Sequence, residues 1–169
     1  CGKSTLLKLL AGFLVPTSGQ VRINGNPGCR RSDVGYIPQR RYVFAGSLLD
    51  KITLFEKDIS QDERMRISDI CAMLHLTHPL DYVISRNGEN LSGGEIAKIC
   101  LVRELYRGKE LLLIDEPMND IDVHAEADIL NFLAKSKKTI IMVAHDLSSD
   151  AMFDEVVRVE DGKLFNTKH

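Results

Sequence analysis

Residues 111–114 are four large apolar side chains in a row, Leu-Leu-Leu-Ile, and they run straight into Asp115, Glu116 and Pro117. A short run that is apolar at every position, not at alternate ones, reads as a strand covered on both faces. That in turn calls for a parallel sheet between layers of helices. Residues 139–143 and 156–159 read the same way, giving three buried strands. A helical pattern at 123–134 joins the first two. A longer one starts near Ser92, passes through Ile96, Ile99, Cys100, Val102 and Leu105, and ends at a glycine cap, Gly108. The expected fold class is therefore α/β, with a mainly parallel sheet core.

Upstream, residues 2–10 open a helix with Leu6, Leu7 and Leu10 on one face, and Pro16, Ser18 and Gly19 break it. Residues 20–24 alternate like a strand, 25–28 form a turn, and 34–37 form a short strand ending at Pro38 and Gln39. The period is helical over 46–79, and residues 46–90 are expected to form a helical subdomain standing apart from the sheet. Asn87, Gly88 and Asn90 mark a loop. Asp161-Gly162 predicts a tight turn into Leu164 and Phe165.

A length of 169 residues with 44% hydrophobic composition supports one domain with a real core. Twenty-two basic residues stand against 24 acidic ones, so no basic stripe marks a nucleic-acid partner, and none is expected. No apolar run approaches the roughly 20 residues that span a bilayer. The cysteines, Cys1, Cys29, Cys71 and Cys100, lie far apart without a CxxC pair and read as reduced thiols. Cys71, His75 and His78 fall at helical spacing and read as a plain helix face, not a metal site.

Three short motifs carry chemistry. Gly2-Lys3-Ser4-Thr5 at a helix start is the second half of the phosphate-binding loop G-x-x-x-x-G-K-[ST]. Free backbone N–H groups and the helix dipole favour phosphate there, with Lys3 reaching the outer phosphates and the Ser4 hydroxyl meeting Mg²⁺. A helix dipole supplies at most about 2 kcal/mol, whereas binding at 1 mM needs about 4 kcal/mol, so the whole loop, Lys3 and Mg²⁺ must act together. In the second motif, a P-loop fold would set Asp115 at the strand tip to hold Mg²⁺, usually through water, and Glu116 to face the γ-phosphate and an attacking water. The third is Leu91-Ser92-Gly93-Gly94-Glu95, in which Ser92 caps a helix and two glycines leave backbone N–H groups bare. Each motif alone also fits a plain helix start or an acidic strand exit. Their conjunction carries the argument.

Leu91-Ser92-Gly93-Gly94-Glu95, about twenty residues before the Asp115-Glu116 strand, resembles the signature sequence of ATP-binding cassette (ABC) proteins. Further matches follow in that family's order. Gln39 after Tyr36-Ile37-Pro38 resembles the Q-loop glutamine, Asp122 in Asn119-Asp120-Ile121-Asp122 resembles the D-loop aspartate, and His145 in Val143-Ala144-His145-Asp146 resembles the switch histidine. The resemblance spans essentially residues 1–169 and implies a P-loop ATPase domain with upstream strands missing, the sequence beginning inside its first motif. It implies ATP and Mg²⁺, with Glu116 and His145 catalytic and Ser4, Gln39 and Asp115 around the metal. Gly2, Lys3, Ser4, Thr5, Gln39, Ser92, Gly93, Gly94, Asp115 and Asp122 would contact nucleotide. It further implies a head-to-tail dimer with a second ATPase domain, in which Ser92, Gly93 and Gly94 reach the partner's nucleotide, at the cytoplasmic face of a membrane. Residues 42–48 are similar to the stretch that docks on the membrane domain of export-type cassettes, fused upstream or on a separate chain. Residues 84–88 lie where exporters carry a coupling loop, but Ser85 and Arg86 replace its usual glycine and glutamate. Asn119-Asp120-Ile121 departs from the usual Ser-Ala-Leu. The competing readings are a non-transport cassette ATPase acting on DNA or ribosomes and a degenerate nucleotide-binding module.

Overall fold

A computed structural model describes residues 2–28, 32–117, 120–144 and 152–167. The sheet that organises the site has three strands in the order β3 (Val34–Ile37), β6 (Leu111–Asp115), β7 (Thr139–Val143), all parallel. Its register pairs Ile37 with Ile114 and Asp115 with Val143, so the three strands finish level along one edge.

Strand alternation divides β6 between two helical layers. Leu113 clusters with Leu7 and Ala11, on and just after α1 (Lys3–Leu10), and with Val34 and Val143. Leu112 and Ile114 join the opposite cluster. That cluster holds Ile99, Leu101 and Val102 of α4 (Gly93–Tyr106) and Ile129 and Leu133 of α5 (Val123–Lys135). The expected parallel sheet is therefore present, covered on both faces at β6, but β7 is corrected from a buried strand: Thr139 and Ile141 are exposed and only Val143 is buried.

The third expected buried strand is corrected. β8 (Val156–Glu160) pairs antiparallel with β9 (Lys163–Thr167), apart from the parallel sheet, and Val157 is exposed. Only Asp161 and Gly162 separate the two, both at positive φ. A two-residue link can make a hairpin but cannot provide the crossover a parallel neighbour requires. The early hairpin also differs in detail: its turn is Asn24-Gly25, between β1 (Arg22–Ile23) and β2 (Asn26–Pro27), so residues 26–27 are a strand partner.

The helical stretch 46–79 is two helices, α2 (Leu48–Thr53) and α3 (Gln61–Met73). Leu54, Phe55 and Asp58 sit at positive φ and break the chain between them. β4 (Gly46–Ser47) pairs with β5 (Val83–Ile84), tying the two ends of this region together. Leu48, Ile52, Ile67 and Leu74 share one continuous core with α4 and the sheet. The region thus reaches the sheet through α4. Ser47 and Ser60 close α2 and α3 with capping boxes to Asp50 and Glu63.

α3 ends at Met73 and His75 turns into positive φ, so Cys71, His75 and His78 do not share a helix face. Cys71 is buried, while His75 and His78 meet Asp128 and Glu95. Burial pushes the Cys71 thiol up to about 11 and also raises Cys100. At pH 7 that leaves about two orders of magnitude less thiolate at Cys71 than in an unfolded chain. Alkylation of Cys71 in the native protein is therefore expected to run at least about a hundredfold slower than after denaturation, as read by mass spectrometry. Comparable rates would show that this core opens readily. Cys1 and Cys29 lie outside the described residues.

Candidate nucleotide site

Five α-helices begin in the described residues, and four of them are closed by a side chain. Ser47, Ser60 and Ser92 make capping boxes, and Asp122 Oδ1 accepts from Ala125 N at 3.0 Å. α1 has no side-chain cap. Its N-cap residue, Gly2, stands at φ 92 with open space where a Cβ would be. A left-handed turn free of side chain lets a ligand come close to the backbone. No acidic residue lies in the first turn to compete for the exposed N–H groups. Lys3 and Ser4 there are half-buried, and Thr5 is exposed.

Asp115 ends β6 on the face it shares with Leu111 and Leu113, the face on which α1 packs. The residue is 2% exposed, and its Oδ1 has no hydrogen-bond partner among the described residues. A buried carboxylate oxygen left open is costly unless something else satisfies it. Tyr36 of β3 has a hydroxyl that is likewise buried and unpartnered, and its pKa is raised by burial and by the Asp115 charge.

Glu116 takes a left-handed backbone, φ 51, unusual for a residue with a Cβ. Hydrogen bonds to Val143, Arg41 and Gln39 anchor it among the described residues. Its N–H donates to Val143 O at 3.1 Å, Arg41 Nη2 donates to its carbonyl, and Gln39 Nε2 donates to its Oε2 at 2.7 Å. Backbone strain kept in place by surrounding structure is characteristic of functional sites. The tips of β3, β6 and β7 thus join at one edge, with Gln39 on the carboxylate of Glu116. His145 lies outside the described residues. β7 ends at Val143, in register with Asp115.

Arg41 also belongs to this edge, although no motif contains it. Its side chain is 5% exposed, and besides holding Glu116 O it meets Asp120 Oδ2 at 3.4 Å. Nothing in the spacing of Arg40-Arg41 reveals that the second guanidinium turns inward. Met118 and Asn119 lie outside the described residues, but Asp120 and Asp122 are described. Asp122 is lowered in pKa chiefly by the Ala125 backbone bond that makes it the α5 cap.

Ser92, Gly93 and Gly94 begin α4, on the side of the sheet opposite α1. The structure therefore puts the two glycine-bearing helix starts in different layers. A Cβ on Gly94 would lie 2.5 Å from Asp120 O, and one on Gly93 would lie 2.9 Å from Asp120 Cγ. Gly94 is thus required by close packing against the Asp120 backbone, whereas Gly93 meets only the exposed Asp120 side chain.

Known proteins with the same pattern place this arrangement. The family model described as "ABC transporter" matches residues 1–119. The chain is 32% identical over 179 residues to the lactococcin-A transport/processing ATP-binding protein LcnC of Lactococcus lactis, covering 98% of this chain and 25% of that protein. It is 34% identical over 175 residues to a probable ABC transporter ATP-binding/permease protein of Haemophilus influenzae, covering 96% and 32%. A bacterial Atm1-family ABC exporter solved with ATP bound superposes with a TM-score of 0.84 at 27% identity, over 97% of this chain and 31% of that one. The chain thus spans about a quarter to a third of the length of these relatives. With its motifs, its sheet and its matched family model in agreement, the chain belongs to the ABC transporter family, as an ATP-binding domain.

Proposed function

We propose that this domain binds and hydrolyses ATP and powers export through a membrane domain. The observation that carries the reading is Glu116, held in a strained backbone by bonds to Val143 and Arg41, with Gln39 on its carboxylate, beside the Asp115 oxygen that has no partner among the described residues. Lys3 and the Gly2–Thr5 backbone hold the phosphates. Ser4, Asp115 and Gln39 offer hard oxygen donors suited to Mg²⁺, and the unpartnered Asp115 Oδ1 fits such a group. When bound, Mg²⁺ neutralises charge on the phosphate oxygens. Glu116 takes the proton of the attacking water after Gln39 releases its Oε2, and His145 positions that water and the γ-phosphate. Catalysis is positioning and charge stabilisation throughout.

A second ATPase domain in a head-to-tail pair would bring Ser92, Gly93 and Gly94 to the first domain's nucleotide, with Asp122 beside the junction. The opposed placement of α1 and α4 supports this, since the two helix starts lie in different layers of one chain. The membrane partner would meet residues 42–48 and 84–88. These adjoin through β4 and β5, with Val43 against Gly88, and expose Tyr42, Phe44 and Val83. Such an exposed apolar group supports a docking surface. No described helix is long and apolar enough to cross a membrane. The site of action is the cytoplasmic face. The lactococcin and Atm1-family names belong to the relatives, and the transported substrate stays with the membrane part.

In the protein that carries this chain, Lys3→Ala is expected to weaken ATP binding about 10- to 100-fold, as one charge-assisted phosphate contact is lost. Isothermal titration with Mg-ATP reads this directly. Unchanged affinity would remove Lys3 from the site.

A further inference from the structure

Helix α4 begins with a carboxylate close to where the function proposed above needs a phosphate. Glu95 is the third residue of that helix, directly after Gly93 and Gly94. Both of its oxygens are occupied. Oε2 accepts from Ser92 N at 2.8 Å and from Ser92 Oγ at 2.7 Å, while Oε1 meets His78 Nε2 at 2.5 Å. An ionised carboxylate only accepts, so the imidazole carries a proton on Nε2. The Glu95 carboxyl is held below its ordinary range by its bonds to Ser92 and then by His78.

His78 is itself held. Its ring stacks on Tyr82 with centroids 4.0 Å apart and planes at 18°. The Tyr82 hydroxyl accepts from Asn90 Nδ2 at 3.1 Å, and Asn90 Oδ1 accepts from Ser85 N and Ser85 Oγ, each at 2.9 Å. A pinned ring thus reaches across from the segment after α3 to the start of α4. A carboxylate released at this helix start would turn to the neighbouring amides, which are the best anion-binding groups within reach. It would then compete with phosphate for them and repel it.

We propose that His78 is a positioning residue for nucleotide capture: by donating to Oε1 it locks Glu95 into the Ser92 cap and keeps its charge off the Gly93–Gly94 amides. The inference rests on the nucleotide-binding reading and adds to it a residue that none of the motifs contains.

The test is a double-mutant cycle in the intact protein, read as the KM and kcat of ATP hydrolysis. His78→Ala is expected to raise KM about five- to tenfold with Glu95 present, and by less than about twofold in the Glu95→Gln background, where no charge is left to misplace. His78→Gln, which keeps an N–H donor, is expected to restore KM to within about threefold of the unsubstituted value. An unfolded fraction lowers the apparent kcat without moving KM, so partial misfolding cannot imitate the result. Equal KM increases in both backgrounds, or none with Glu95 present, would overturn the role of His78 alone. No ATP turnover in the unsubstituted protein would instead overturn the reading beneath it.

Discussion

Glu116→Gln is expected to lower ATP turnover by about two to four orders of magnitude while ATP affinity stays within about threefold. The substitution keeps the shape of the side chain and an oxygen able to accept from Gln39 Nε2, which lies 2.7 Å away in the native protein. The backbone bonds to Val143 and Arg41 do not involve the side chain at all. Binding geometry therefore survives and only proton acceptance is lost. Because hydrolysis would release the head-to-tail pair, the variant should accumulate as an ATP-bound dimer. Single-turnover hydrolysis and sedimentation with Mg-ATP read the two effects separately. Turnover within about threefold of the unsubstituted protein would show that another group accepts the proton.

Leu113→Ala is expected to cost about 3 kcal/mol of local stability, the usual range for emptying a fully buried leucine site. Leu113 has no exposure and sits between α1 and the sheet, with Leu7, Ala11, Val34 and Val143 around it. The cavity would lie beneath α1, the helix whose start holds the phosphates in the proposed mechanism. Hydrogen exchange should show the amides of β6 and β3 opening about a hundredfold faster, 1.4 kcal/mol being a factor of ten. Leu112→Ala would act on the other cluster, against α4 and α5. A loss of protection confined to α4 in the Leu113 variant would contradict the assignment of faces.

How far the sequence revealed this structure depended on whether local pattern or long-range contact decided each element. The run at 111–114 was legible because both faces of that central strand are buried, whereas 139–143 has the same apolar pattern but leaves Thr139 and Ile141 exposed. Residues 156–159 look similar in pattern, but the two-residue turn at Asp161-Gly162 makes them one arm of a hairpin. The break between α2 and α3 was hidden because leucine and phenylalanine, at positions 54 and 55, hold the left-handed conformation there. The end of α3 was hidden because Leu74 and Leu76 are buried and continue the apolar period past the helix.

The candidate site divides in the same way. Lys3, Ser92, Asp115 and Glu116 stand in short motifs whose chemistry can be read from the residues, while Gln39 is legible only through the resemblance to ABC proteins. Arg41 and His78 could not be found so, since each acts through a partner far along the chain: Glu116, 75 residues away, and Glu95, 17 residues away. A buried arginine and a capping histidine show themselves only when the fold has brought those partners together.

The account stands on Lys3, Asp115 and Glu116 serving one triphosphate at the shared edge of β3, β6 and β7. A structure of the Glu116→Gln variant of the intact protein with Mg-ATP tests this most directly. The account predicts the γ-phosphate within hydrogen-bonding reach, about 3 Å, of Lys3 Nζ and of Ser92 from a second copy, with the metal beside Ser4 and Asp115. Nucleotide bound away from the start of α1, or with residue 116 turned from its γ-phosphate, would contradict it.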